Sequence, residues 1–480
     1  MRNTRNREDL HLISFLLFFL LSYSAALFSP PDNHLVDCGS SSATTLDDHR
    51  VFLPDSNCRS ARLVSGGPKI SVSADGESSL DREDLLYAPV YRTARVFTAL
   101  SSYEFHISSK GTYIIRLHFY PFSTRRHNLS SAEFHVFSSV FVLLSNFTAS
   151  PDTSSLKEFI LAVNEEKLVI SFVPASSNSF AFVNAIEVIS APVDLIGDTA
   201  RYVQPDQIVR FDGLLKQAME TLYRINIGGP KVTPFNDTLW RTWVPDSSFL
   251  DSNSATKTMY FSGRIMYQKY GASREVAPDS VYNTARIMDV SNSSDSSSRM
   301  TWIFSVDHDR RFLIRMHFCD IASLALNELF FNVYINGYLA YEDFDISAAT
   351  GRVLASPYYV DFVTDVGSSG LLHLSISPSR IGAASRVDGL LNGLEILKIN
   401  NTAGSLNGEL PVALILQSSR RGTFGSTLRS LICGLGFMIL SVIGFMLMLR
   451  WRAESKNRVS WSPLPMDASG GKNAKWSQTV

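Results

Sequence analysis

One strand pattern is written twice in this chain, and that repetition restricts the possible folds more than any other feature. Thr112 to Phe119 reads TYIIRLHF and alternates Tyr113, Ile115, Leu117 and Phe119 on one face with Ile114, Arg116 and His118 on the other. Phe312 to Phe318 reads FLIRMHF and alternates in the same way, so Arg-x-His-Phe returns 199 residues later. Further pairs follow in the same order. Tyr91-Arg-Thr-Ala-Arg95 answers Tyr282-Asn-Thr-Ala-Arg286 at 191, Asn184-Ala-Ile-Glu187 answers Asn392-Gly-Leu-Glu395 at 208, and Asp37-Cys-Gly answers Asn226-Ile-Gly at 189. Matches that keep their order while the offset drifts indicate a duplicated domain with loop insertions in the second copy. Between Leu35 and Asn400 the signals are short period-two runs of Val, Ile, Phe and Tyr, broken by Ser, Gly, Asn and Pro clusters, which is all-β sandwich or barrel texture. The expected division is a first domain over 27–191, a linker over 192–222 and a second domain over 223–401, followed by a polar, flexible stalk over 402–429.

The two ends read differently. Arg2, Arg5 and Arg7 precede an apolar run from Leu10 to Leu21 and then Ser24-Ala25-Ala26, the pattern of a secretory signal peptide over 1–26. Residues 430–449 read SLICGLGFMILSVIGFMLML without a charge between Arg429 and Arg450. Twenty such residues at about 1.5 Å rise span the hydrocarbon core, so a single transmembrane helix is expected. A cleaved signal followed by a stop-transfer segment predicts a single-pass type I protein with its N-terminal domains outside; Arg450, Arg452, Lys456 and Arg458 agree with that orientation. Asn-x-Ser/Thr sequons at Asn128, Asn146, Asn236, Asn292 and Asn400 all precede the span and are candidate glycosylation sites. Residues 450–480 lack periodicity and are expected as a short disordered cytoplasmic tail.

Chemistry is sparse. With 44 Lys+Arg against 45 Asp+Glu the net charge is −1, which argues against a nucleic-acid binder. No His-Glu-x-x-His, Gly-x-Ser-x-Gly or phosphate-cradling Gly-Lys-Ser/Thr motif occurs, so no catalytic residue, metal site or cofactor is assigned. Arg116, His118, Arg315 and His317 read as polar strand positions, buried and paired or half exposed, rather than as ligands. Of four cysteines, Cys38 and Cys58 share the first copy and are candidates for a disulfide, while Cys319 reads as a buried thiol. Trp240 and Trp243 with Asp237 and Asp246 are candidates for a carbohydrate platform, since rings stack on sugar faces and carboxylates hold hydroxyls. The alternative is that these tryptophans pack the domain junction.

Several long segments resemble one family. YRINIGGPKVTPFNDTLWRTWVPDSSFL (Tyr223 to Leu250), LIRMHFCDIASLALNELFFNVYIN (Leu313 to Asn336), LLNGLEILKIN (Leu390 to Asn400), FAFVNAIEVIS (Phe180 to Ser190) and SWSPLP (Ser460 to Pro465) are similar to the plant FERONIA/THESEUS-type (Catharanthus roseus receptor-like-kinase-like) receptors. The resemblance implies two tandem malectin-like β-sandwich domains on a plasma-membrane receptor that senses growth and the cell wall. It further implies secreted RALF-type peptide ligands, a GPI-anchored co-receptor, and pectin or another wall glycan as a possible ligand. The family's serine/threonine kinase motifs are absent after Arg450, so no enzyme activity is expected within these residues. A kinase-less receptor that signals through a full-length receptor kinase, a truncated product of such a kinase, and a wall-to-membrane tether are the three readings this leaves.

Overall fold

The computed structural model describes residues 28–58, 61–74, 85–151, 153–254, 256–269, 271–288, 299–381, 389–417 and 437–452. The signal segment 1–26, the sequon at Asn292 and most of the 450–480 tail lie outside them. Strands dominate, as the period-two runs require. The strand Gly111–Phe119 pairs on one side with Ser155–Val163 and on the other with Ala185–Ser190; in the second copy Arg310–Cys319 pairs with Pro357–Val366 and Gly393–Ile399. These strands are covered on both faces, so their nominally polar positions are buried too: Arg116, His118, Arg315 and His317 are each at most 1% exposed.

The sheets of the two copies are continuous. Ser155–Val163 of the first copy pairs with Met219–Asn226 of the second through Phe159↔Glu220 and Ile160↔Met219, giving one 13-stranded sheet. Smaller sheets close the sandwiches. One hydrophobic core takes Tyr113, Ile115, Leu117 and Phe119 with Phe134, Phe172 and Phe182; another takes Phe312, Ile314, Met316 and Phe318 with Trp302, Phe331 and Phe344. The faces predicted from alternation are the faces that pack.

Residues 192–222, expected as a linker, are instead built into the sheet. Thr199–Val203 and Ile208–Asp212 form a hairpin whose first strand runs parallel to Pro357–Val366. The reason is apolar content. Leu195, Ile196, Leu214 and Met219 are buried with Ile114, Ile160, Leu313 and Leu397 on the outer face of the shared sheet, forming a third core. A free linker would expose that surface to water.

The described part of the expected stalk is likewise not loose. After the last strand the chain returns to the first copy, where the Val142 amide donates to the Gly404 carbonyl and the Leu406 amide to the Val142 carbonyl (both 2.9 Å), covering the edge of Val142–Phe147. Leu406 is fully buried in the first core, and Ile415, in a helical turn over 412–417, packs with Phe137, Val142 and Val173. Leu406→Asp should release this strap, because a carboxylate cannot enter that site without a partner. Limited proteolysis should then cut within 401–417 in the variant and spare the parent.

Residues 437–452 form a separate helical unit. Among the described residues no helix is long and apolar enough to cross a membrane, and 430–436 of the expected span lie outside them.

Candidate functional site

The repeated motifs build two equivalent polar clusters. In the first copy the His118 ring meets the Tyr91 hydroxyl (3.2 Å) and Glu187 Oε1 (2.9 Å); in the second, His317 meets Tyr282 (3.2 Å) and Glu395 Oε2 (3.2 Å). Asn184 accepts from the Tyr120 amide and donates to the Thr93 carbonyl, as Asn392 accepts from the Cys319 amide and donates to the Thr284 carbonyl. Arg95 forks onto Asp55, which also accepts from Tyr103 Oη; Arg286 forks onto Asp246, which also accepts from Trp302 Nε1. Thus the arginine of each Thr-Ala-Arg triplet holds an aspartate that pattern reading left without a role in the first copy.

A chain of buried ion pairs joins the clusters across the sheet. Arg50 and Arg116 share Glu187 Oε2 at 2.9 Å each, Arg116 Nε reaches Glu158 at 2.8 Å, and Arg224 bridges Glu158 and Glu395 at 2.7 Å each. Thr221 Oγ1 also donates to Glu158, and Arg116 Nη2 to the Leu239 carbonyl. Burial alone would push the Glu158 carboxyl up, but Arg224 and Arg116 override it and hold it at about 2. Glu187 and Glu395 are held low for the same reason, by Arg50 with Arg116 and by Arg224 with His317. Burial lowers His118 and His317, so both rings stay neutral at pH 7. Saturated by internal partners and closed to solvent, this network holds the copies together and offers no open acid–base pair.

Three of the four residues considered as a sugar platform lie inside. Trp243 is fully buried and donates to Asp237, which also takes the Arg241 guanidinium; Asp246 is occupied by Arg286 and Trp302; Asp237 and Asp246 are at most 5% exposed. Trp240, half-buried, packs on the first core and under Arg50. Leu239, from the same loop, enters the junction core, so this segment packs the junction rather than displaying rings. The expected Cys38–Cys58 disulfide is also absent: Cys38 is a free, fully buried thiol whose Sγ lies 4.0 Å from the Val36 carbonyl. Cys319 is likewise a buried thiol. Asn128, Asn146 and Asn236 are exposed, whereas Asn400 is half-buried with its Nδ2 donating to the Asn401 carbonyl.

Open space is found elsewhere. A cleft of about 1,070 Å³ in the first copy is lined by Ser40, Ser42, Arg62, Lys69, Ser71 and Arg95. One of about 690 Å³ in the second carries Tyr202, Arg299, Asn336, Tyr338, Asp365 and His373. A third, of about 760 Å³, opens where both copies and the returning strap meet, beside Phe141, Phe211, Lys216, Arg310, Arg311 and Asn401. The first two are mainly polar, the third is more apolar, and all three are wide, suited to gripping a flexible or extended ligand by many separate contacts.

The profile described as "Malectin-like domain" matches residues 36–399, most of the chain and all of the shared sheet's central strands. The chain belongs to the malectin-like family. Among curated proteins, this malectin-like chain is 42% identical over 409 residues to Receptor-like protein kinase THESEUS 1 of Arabidopsis thaliana, covering 84% of this chain and 46% of that one. It spans about half the length of the curated relatives it matches, such as 54% of another Arabidopsis receptor-like kinase. Among solved structures, the ANXUR1 extracellular domain from Arabidopsis thaliana superposes with a TM-score of 0.68 at 30% identity, over 79% of this chain and 99% of that domain. A chain from the crystal structure of plant peptide RALF23 in complex with FER and LLG2 superposes at 0.66 with 29% identity, over 80% and 100%.

The duplicated malectin-like architecture also supplies an internal control. Asp37 occupies the place that Asn226 holds in the second copy: Thr93 Oγ1 donates to Asp37 Oδ1 and Thr284 Oγ1 to Asn226 Oδ1. Burial raises the Asp37 carboxyl to about 6 against the hydroxyl bonds of Thr44 and Thr93. An acid whose folded pKa exceeds its unfolded value of about 3.9 loses stability as pH rises between the two, so ionised Asp37 costs up to about 3 kcal/mol at pH 7. Asp37→Asn should therefore stabilise the protein at pH 7, and the gain should vanish below about pH 4, as read by chemical denaturation at both pH values.

Proposed function

We propose that this chain is the ligand-binding extracellular part of a single-pass plasma-membrane receptor. It takes a secreted RALF-type peptide, together with a GPI-anchored co-receptor, in cell-wall or growth sensing. The observation that carries the proposal is the superposition, at 29% identity, on the whole of a chain from the RALF23–FER–LLG2 complex. The signal segment 1–26, the uncharged run 430–449 and the sequons confined before it support an N-terminal side outside the cell, with glycans on the exposed Asn128, Asn146 and Asn236. Wall glycan such as pectin is the alternative ligand class.

Full-length chain in nanodiscs, titrated with a RALF-type peptide with and without the co-receptor, tests this reading. Saturable binding strengthened by the co-receptor is expected; no binding in either arm overturns it. A second reading, that these residues are the sensor half of a receptor serine/threonine kinase, is favoured by the half-length match to relatives named as kinases. Sequencing the 3′ end of the native transcript separates it from a receptor that signals through a full-length partner kinase.

A further inference from the structure

The strand Ile208–Asp212 ends the 13-stranded sheet, and among the described residues its outer edge has no strand beside it. Natural sheets cover, shorten or bulge such edges because their unpaired N–H and C=O groups recruit other strands. Here the opposite end of the sheet stops at the two-residue strand Thr44–Thr45, and the Val142–Phe147 edge of a smaller sheet is covered by the returning strap. Ile208–Asp212 has neither protection: it pairs through all five residues with Thr199–Val203, without a bulge, and Ile208 and Val209 are 40% and 37% exposed.

Its hydrogen-bonding groups can be assigned. The Gln204 amide donates to the Gln207 carbonyl across the turn, and the Gly213 amide to the Asp198 carbonyl. By antiparallel alternation Val209 and Phe211 then bond inward, which leaves the amides and carbonyls of Ile208, Arg210 and Asp212 pointing outward. The charges on this edge are self-complementary. Arg210 and Asp212 lie on one face, ion-paired at 2.6 Å, with side chains 72% and 62% exposed. If an identical strand is laid antiparallel about a twofold axis through Phe211, each Arg210 stands opposite the second copy's Asp212, and both belong to the outward-bonding set. Register, charge and hydrogen-bond parity therefore agree. Clefts lined by Ile208, Val209 and Arg210 on one side and by Phe211 and Lys216 on the other leave the edge approachable.

We propose that Ile208–Asp212 is a self-association edge at which a second copy of this chain continues the sheet, antiparallel, with Phe211 on the twofold axis. In this register Arg210, Phe211 and Asp212 face one another while Ile208 and Val209 lie opposite Leu214 and Gly213 beyond the strand, so the contact is weak in solution, and confinement to a membrane raises the effective concentration that it needs.

The test is charge exchange in the full-length chain, reconstituted in vesicles as donor- and acceptor-labelled populations. Arg210→Asp alone sets acid against acid and Asp212→Arg alone sets base against base; each should lower self-association on the order of tenfold, since each replaces two attractive cross-strand pairs by repulsive ones. Mixing the two variants, or combining both changes in one chain, should restore energy transfer. Phe211→Cys supplies an independent readout: residues on the axis form a non-hydrogen-bonded pair about 4.5 Å apart, within disulfide reach, so mild oxidation should link the copies, whereas Val209→Cys should not. Loss of transfer in the single variants without recovery on mixing would overturn the proposal. So would a parent chain that shows no transfer and no Phe211→Cys linkage, or protection of the 208–212 amides by a peptide ligand while the chain stays monomeric.

Discussion

Glu158→Ala should lower the stability of the full-length chain by about 3–5 kcal/mol, because it strips one carboxylate from two buried guanidiniums at once. Glu158 sits where a first-copy strand pairs with a second-copy strand, and its two oxygens are divided between Arg116 at 2.8 Å and Arg224 at 2.7 Å, one from each copy. Neither arginine can turn to water: their side chains are 1% and 7% exposed. Denaturant unfolding of the variant and parent measures the loss; a cost below about 1 kcal/mol, the level of an exposed pair, would show that the seam is held by its apolar contacts alone. Glu158→Gln, which keeps the volume and one acceptor, should cost less. The same carboxylate gives the protein an acid limit. Held at about 2 against an unfolded value of about 4.3, Glu158 contributes its full stabilisation above the unfolded value and loses it as pH falls toward 2. Glu187 and Glu395, also held low, reinforce the effect, so unfolding should steepen below about pH 4 and Glu158→Ala should flatten that slope.

How much of this was legible follows from which interactions are local. The inward faces of the two Arg-x-His-Phe strands, the repeat and the all-β class were readable because alternation along a strand is a local property. The duplicated motifs also marked the residues of the two His–Glu–Tyr clusters, although nothing in the pattern said that both faces of those strands would be covered. Glu158 carried no signal: it lies in no repeated motif, and its role arises from a pairing between strands whose ends are about sixty residues apart. The hairpin in 192–222 was missed because its hydrophobic residues are spread among Asp, Gly and Gln, so the segment looked like a connector until a neighbouring strand offered an edge. The strap over 401–417 was missed for a related reason, since Leu406 stands alone among Gly, Ser and Asn and the apolar run 412–416 is too short to announce which surface it covers. Trp243 and Asp237 show the converse: ring and carboxylate chemistry suits a sugar, yet the same pair satisfies itself once buried.

The largest backbone effect should come from two glycines at equivalent places. Gly228 follows Asn226-Ile227 and adopts φ +70°, and a Cβ there would lie 2.2 Å from the Ala285 carbonyl oxygen; Gly39 follows Asp37-Cys38 with φ +87°, and its Cβ would lie 2.4 Å from the Ala94 carbonyl oxygen. In both copies the obstructing carbonyl belongs to the alanine of Thr-Ala-Arg, so the close approach of two backbones is what the repeated Gly and the repeated Ala encode together. A side chain at either site meets two costs: left-handed backbone, about 1–2 kcal/mol for an L residue, and displacement of a main-chain segment that cannot rotate away, about 1–3 kcal/mol by analogy with overpacked cores. Gly228→Ala is therefore expected to destabilise by about 2–5 kcal/mol. Displacing Ala285 also moves Arg286, whose guanidinium holds Asp246 beneath Trp302, so quenching of tryptophan fluorescence should change with the first increments of denaturant. Gly39→Ala should match it in size, but its local effect should fall on the Arg95–Asp55 pair of the first copy, where Tyr103 replaces the tryptophan. Equal losses in the two variants would mean that the copies share one cooperative unit through their continuous sheet; a loss that appears only in the local probe of the mutated copy would mean that each sandwich unfolds by itself.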